Sequence, residues 1–202
     1  MLALGSASAQ ARIGLEFRPG HQRVGAGDVV RVQLYVVSDL SGEDQSLSAA
    51  EVIITWDRAV LELLGTDDTG GAGLISSGFP VPDPYGLNEA DPPADGDGIY
   101  VALARLGEPV QATPQGRLLT TLLFRALMVA GSTPVEIIPE AGDPLGRTHV
   151  FSGDVPSLDV TGTLSGQTVT VAPACDGDLH TDGTLDVLDF FAFLVAFQAG
   201  CG

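Results

Sequence analysis

The segment SLSAAEVIITWDRAVLELLG, Ser46 to Gly65, carries the pattern from which the class of this chain is read. Val52, Ile54 and Trp56 are spaced two apart and lie on one face of an extended segment; after Asp57-Arg58 the apolar pattern resumes from Val60 to Leu64. A period of two belongs to a half-buried strand, and β-branched and aromatic residues suit its pleated surface. The same alternation appears on the N-terminal side at Ile13, Leu15 and Phe17, and again where Val30, Val32, Leu34 and Val36 alternate with Arg31, Gln33 and Tyr35. Further strands are predicted over Ile99 to Leu106, Leu118 to Val129, Val135 to Pro139, Thr148 to Ser152 and Thr161 to Val171. Short strands separated by turn signals describe an all-β protein, a sandwich or jelly roll.

Composition bounds what such a fold can do. A chain of 202 residues, 45% hydrophobic, builds one good-sized domain with an appendage. The net charge of -17 argues against nucleic acid and anionic membrane surfaces as partners, and suits cation binding. No apolar run is long enough to span a bilayer.

The appendage is the C-terminal segment. DLHTDGTLDVLD, Asp178 to Asp189, has the spacing of a twelve-residue calcium loop, whose ligands come from positions 1, 3, 5, 7, 9 and 12 around a glycine at 6. These are Asp178, His180, Asp182, the carbonyl of Thr184, Asp186 and Asp189, with Gly183 at the turn. His180 is the departure, because a hard cation prefers oxygen, and it leaves its place to water or points away. Calcium is the expected cofactor. Val187 to Phe197 then forms a short helix, apolar over most of its circumference and closed by Gly200. Cys175 and Cys201, the two cysteines of the chain, flank the unit. A bridge between them would contribute about 3.5 kcal/mol on the chain-entropy model; two free buried thiols are the alternative.

The N-terminal MLALGSASAQA reads as the tail of a secretory signal, with Ala7-Ser8-Ala9 before the cleavage point. No basic residue precedes it and its apolar stretch is short, so either the start lies upstream or this is an ordinary terminus. With the cysteine pair and the calcium loop, it places the chain outside the cell, secreted or at the cell surface. The expected organisation is a partial signal peptide over 1–10, a sandwich over 11–171 and a calcium loop with its helix over 172–202.

LSAAEVIITWDRAVLELLG, followed by GRLLTTLLFRALMVAGSTPVEI from Gly116 to Ile137, resembles the cohesin domain over about 11–171, with Trp56 where the family commonly has Tyr. The resemblance implies a jelly-roll β-sandwich and a protein-interaction role in polysaccharide-associated or cell-surface assembly. CDGDLHTDGTLDVLDFFAFLVAFQAGC, from Cys175, resembles a single EF-hand-like dockerin calcium repeat. A full dockerin carries two. The partners implied are a cohesin- or dockerin-like extracellular protein, or a polysaccharide.

Catalysis finds no support. His21, His149 and His180 are isolated, and no nucleophile elbow, HExxH pair or phosphate-binding glycine loop appears. The Gly-, Pro- and Asp-rich stretch between Asp67 and Gly98 reads as a solvated acidic loop, although Asp83, Glu89, Asp91, Asp95 and Asp97 are oxygen donors for a second cation.

Interaction surfaces are expected in two places. If Leu122, Phe124, Ala126 and Met128 face the core, Leu119, Leu123, Leu127 and Val129 line the opposite face, too apolar a row to leave wet. Another chain covers it, or another element of this one. On the helix, Phe190, Phe191, Phe193, Leu194 and Phe197 exceed what a calcium loop can cover. The favoured cover is the chain's own sandwich, tethered through Ala172-Pro173-Ala174; the next is a cohesin-like domain on another chain. A carbohydrate-binding module is the second functional reading. Its sugar platforms would be Tyr35, Tyr85 and Tyr100, since the alternation places Trp56 inside.

Overall fold

The computed structural model describes residues 12–39, 45–173 and 187–200. Ala7-Ser8-Ala9, Cys175, Asp178, His180, Asp182, Thr184, Asp186 and Cys201 lie outside the described residues. In chain order the elements are β1 (Ile13–Arg18), β2 (His21–Gly25), β3 (Val29–Ser38), β4 (Gln45–Trp56), β5 (Leu61–Asp67), β6 (Leu74–Gly78), β7 (Asp97–Ala104) and β8 (Val110–Ala112). There follow β9 (Arg117–Ala126), β10 (Ala130–Ile138), β11 (Glu140–Ala141), β12 (Gly146–Arg147), β13 (His149–Ser152), β14 (Thr161–Ser165), β15 (Gln167–Ala172) and α1 (Val187–Gln198). The smaller sheet runs β14-β1-β3-β9-β5, and the larger runs β2-β15-β10-β4-β7-β6 with β13 and β8 also paired to β4. β11 and β12 form a separate two-stranded ribbon. The all-β sandwich expected from the alternation is the observed fold.

The core lies between the two sheets, where the even-numbered residues of β4 meet those of β3 and β9. Val52, Ile54 and Trp56 pack with Val32, Leu34, Leu122 and Phe124, all buried. Trp56 stands edge-on to Phe124, ring centroids 5.5 Å apart, so the sole tryptophan is core. Tyr100 is core too, edge-on to Phe79 at 5.9 Å; the expectation that it faces outward is corrected. It sits on β7 between outward Ile99 and Val101, and the period of two turns it inward.

Two predicted strands are divided or shortened. The segment Thr161 to Val171 splits at Gly166, with β14 joining the smaller sheet beside β1 and β15 the larger beside β10. A Cβ at Gly166 would stand 2.7 Å from the Val135 carbonyl oxygen, so only glycine permits that approach. The strand expected to reach Val129 ends at Ala126. The Leu127 N–H donates instead to the Val60 carbonyl (2.8 Å), and Leu127, Met128 and Val129 form an exposed turn.

Helix α1 spans the predicted residues, and Gly200 follows it at φ +103°, the left-handed conformation that closes helices. Among the described residues no helix is long and apolar enough to cross a membrane.

Candidate interaction faces of the sandwich

The outer face of the smaller sheet is closed by charge. Arg18 on β1 pairs with Glu16 and lays its guanidinium 4.5 Å over the ring of Tyr35 on β3. Arg31 pairs with Asp67 (2.5 Å) and Arg125 with Glu62 (3.1 Å). The Asp67 carboxyl is lowered to about 2, first by the Thr69 hydroxyl and N–H and then by Arg31. Tyr35 does point outward as a sugar platform must, but the arginine occupies its ring.

The leucine row expected on this face does not form. Leu123 lies outward and half-buried, opposite Arg31 and Gly65. Leu119 is fully buried in the core. The register shifts between Leu34 and Tyr35, so that Leu34 faces Thr120 and Tyr35 faces Leu118. This bulge inserts one residue into β9 and reverses its parity, which turns Leu119 inward. Leu127 lies beyond the strand in the exposed turn. Alternation alone does not reveal an inserted residue, and the predicted row runs across one.

The larger sheet finishes its outer face differently, and its register shows how. Ala50, Val52 and Ile54 face the core, so Ala49, Glu51 and Ile53 face outward. Cross-strand pairing continues these into three rows: Ile138, Ile53 and Ile99; His149, Glu51, Val101 and Gly78; and Phe151, Ala49, Leu103 and Ser76. The first row is capped. Leu87 buries itself on Ile53 and Ile99 with Tyr85 and Ala141 around it, forming a second small core. Asn88 locks this cap like a strand partner: its Oδ1 accepts the Ile99 N–H (2.8 Å) and its Nδ2 donates to the Ile99 carbonyl (2.9 Å).

The long acidic stretch is therefore more than a solvated loop, since it supplies β6 and this cap. Asp83 serves as an internal acceptor, bonded by the N–H groups of Tyr85 (2.8 Å) and Asn88 (2.6 Å). Burial pushes its carboxyl up, but those amide donors outweigh it and hold the group below the usual carboxylate range. Asp97 is pushed up, by burial and then by the charges of Asp95, Glu89 and Asp83. Among the described residues no group of three or more His, Cys, Asp or Glu is placed to hold a metal ion.

The other two rows are open. Leu103 is 41% exposed, with Val101 and Phe151 half-buried beside it. A hollow of about 460 Å³ lies over Val101 and Leu103 against Phe79, Pro80 and Val81. His149 stacks on Phe151 at 5.4 Å and pairs through Nδ1 with Asp159 (3.0 Å), which fixes both side chains at the edge of the open area. Composition could have hinted at this face, because Leu103 and Phe151 alternate with the core residues Ala102 and Val150.

Helix α1 inverts the usual arrangement. Its phenylalanines, Phe190, Phe191, Phe193 and Phe197, are 42% to 58% exposed, while its one buried residue is Asp189 at 4%. The expected burial of these rings against the chain's own sandwich is not observed. Asp189 is the one side-chain oxygen donor of the predicted calcium loop that lies among the described residues.

No protein-family model matches the sequence, and no curated protein does. Solved structures do. A chain of a type I cohesin-dockerin complex, Coh-OlpA-Doc918 from Clostridium thermocellum, is 15% identical with a TM-score of 0.55, over 79% of this chain and 99% of that one. The cohesin module of a family 33 glycoside hydrolase from Clostridium perfringens is 12% identical with a TM-score of 0.51, over 81% of this chain and 99% of that one. A non-cellulosomal cohesin from the hyperthermophilic archaeon Archaeoglobus fulgidus is 13% identical with a TM-score of 0.50, over 87% of this chain and 100% of that one. At these identities the likeness is one of fold. The sandwich of this chain is a cohesin-like β-sandwich.

Proposed function

We infer that this chain is a non-catalytic, extracellular protein-interaction module. The cohesin-like sandwich takes a protein partner on the open rows of its larger sheet, and the C-terminal unit is a calcium-binding, dockerin-like repeat. The observation that carries this reading is the uneven finish of the larger sheet. Of the three rows on its outer face the chain caps the wholly apolar one, Ile138, Ile53 and Ile99, with Leu87, while Val101, Leu103 and Phe151 of the other two stay accessible. An apolar strip over Phe151, Ala49 and Leu103, with Glu51 and His149 in the row beside it, has the make-up of an interface core with polar groups at its side. The smaller sheet, whose outward arginines are already paired, offers less.

A photo-crosslinking residue placed at position 103, and separately at position 31 on the smaller sheet, tests this in the protein's native extracellular medium. Adducts from position 103 are expected. Adducts from position 31 alone would overturn the choice of face.

In the C-terminal unit Asp178, Asp182, Asp186 and Asp189 would hold calcium with the Thr184 carbonyl, and the ion would order a loop too small to fold on core burial. A Cys175-Cys201 bridge would close the same unit. Calorimetric titration of the full chain is expected to show one calcium site. Asp189→Ala abolishes it and His180→Asp tightens it by adding an oxygen ligand. An Asp189→Ala chain that binds like the parent would refute the assignment.

A further inference from the structure

The hollow over Val101 and Leu103 is built largely by one weakly held element. Six of its lining residues, Ser76 to Val81, come from β6 and the segment after it, while Val101 and Leu103 of β7 form the floor and Asp91 adds a charge. β6 is the edge strand of the larger sheet, five residues long, and among the described residues it pairs with β7 alone. Its register shifts between Leu74 and Ser76, which interrupts even that ladder. An edge strand so short and bulged has little of its own to fix its position. Leu74 rests on the core at one end, but Ile75 beside it is 66% exposed.

The other end is held from the opposite sheet. Asp68, the first residue after β5, divides its two carboxylate oxygens between the sheets: Oδ2 accepts the Ser77 hydroxyl of β6, and Oδ1 accepts the Thr120 hydroxyl of β9 (2.6 Å). A charged acceptor makes each bond stronger than one between neutral groups. Asp68 is itself fixed by its turn. The Gly71 N–H donates to the Asp68 carbonyl (3.0 Å), and a Cβ at Gly71 would stand 2.6 Å from the Leu119 carbonyl oxygen, so glycine lets the turn lie directly on β9. Tyr100 joins this cluster from β7. Its buried hydroxyl faces Ser77, Thr120 and Asp68, and its ring meets Phe79, a lining residue of the hollow, edge-on at 5.9 Å.

We propose that Asp68 is a positioning residue for the open rows: it clasps the edge strand β6 to β9 across the seam between the sheets and so sets the wall of the hollow. This rests on the open rows being the docking face, and it assigns part of their shape to a side chain that no partner there would touch. Ser77 pairs with the core residue Ala102, so the clasp grips β6 from its inner side, whereas a partner meets the outer side that carries Leu103. Without the clasp β6 is held at Leu74 alone and Phe79 loses its backing.

Hydrogen exchange of the full, purified chain tests the clasp. In Asp68→Ala the β6 amides are expected to exchange at least about tenfold faster, the scale of losing a hydrogen bond to a charged group, while those of β1 and β3 keep the parent rates. Asp68→Asn, which retains one acceptor oxygen, gives a smaller acceleration. Ser77→Ala, at an edge position, reproduces the effect, and the two alanines together add little to either alone, because both remove the same bond. Photo-crosslinking from position 103 is then expected to yield fewer adducts in Asp68→Ala than in the parent, at a temperature where both are folded. Parent exchange rates in β6 of both Asp68→Ala and Ser77→Ala would overturn the proposal, as would undiminished adducts from a chain whose β6 exchanges fast. A parent chain that yields no position-103 adducts counts against the docking face alone, since the exchange rates still decide the clasp.

Discussion

The smaller sheet covers its outer face with paired charges, Arg18 with Glu16, Arg31 with Asp67 and Arg125 with Glu62, whereas the larger sheet covers one apolar row with Leu87 and leaves two open. Both inner faces are buried alike, so the difference lies outside the core that makes the fold. Paired surface charges are already satisfied and gain little from a partner. Exposed aliphatic side chains on a rigid sheet gain about 25 cal/mol for each Å² that a partner removes from water. The contrast therefore separates a face whose charges are already paired from one whose apolar side chains remain exposed.

The largest expected effect belongs to what the sheets share. Trp56→Ala removes the ring that meets Phe124 across the core, and denaturant unfolding is expected to show a loss of roughly 3 to 5 kcal/mol. Next comes the division within the larger sheet. Leu87→Ala opens the capped row and is expected to cost about 2 to 4 kcal/mol, whereas Leu103→Ala on the open row changes stability by less than about 0.5 kcal/mol. Equal costs at both positions would erase the distinction between cap and docking strip. On the smaller sheet, a double-mutant cycle across Arg125 and Glu62, both about half exposed, is expected to return less than about 1 kcal/mol and to fade with salt.

Acid moves the two faces in opposite directions. The Asp67 carboxyl is depressed to about 2, so its contribution is present above the ordinary aspartate value and is lost as pH falls toward 2. Asp97 is raised, so its ionised form weighs against the folded cap at neutral pH, and that penalty disappears in acid. Asp97→Asn is therefore expected to raise the melting temperature at pH 7 and to leave it unchanged below about pH 4. A neutral-pH melting point that does not move would mean the acidic cluster is relaxed by solvent.

Much of this was legible in the sequence because period two reports directly on which side of a sheet a residue lies. β1 and β3 follow it without interruption, and β4 does so from Ala50 onward, so that Trp56 falls inward as that period requires, although Leu47 nearer its start is also core, out of step across a shift of register. The pattern failed where a physical event interrupts it without changing composition. The bulge opposite Tyr35 reverses the parity of β9 at Leu119, and Gly166 passes the chain from one sheet to the other within one predicted strand. The cap was hidden for another reason. Leu87 and Asn88 stand in a Gly- and Pro-rich stretch with no period, and only the backbone of Ile99 reveals what Asn88 replaces. The bounds of α1 were readable from its apolar run and Gly200, but its exposure was not, because an apolar helix reads the same whether it is covered by its own chain or by another.

Hydroxyl-radical footprinting of the protein in its native extracellular medium against the purified protein tests the division of faces most directly. Val101, Leu103 and Phe151 are expected to lose reactivity when a partner from that medium binds, Leu87 to be unreactive in both states, and Tyr35 and Leu123 to be unchanged. Protection of Tyr35 and Leu123, with Leu103 as reactive as before, would contradict the account.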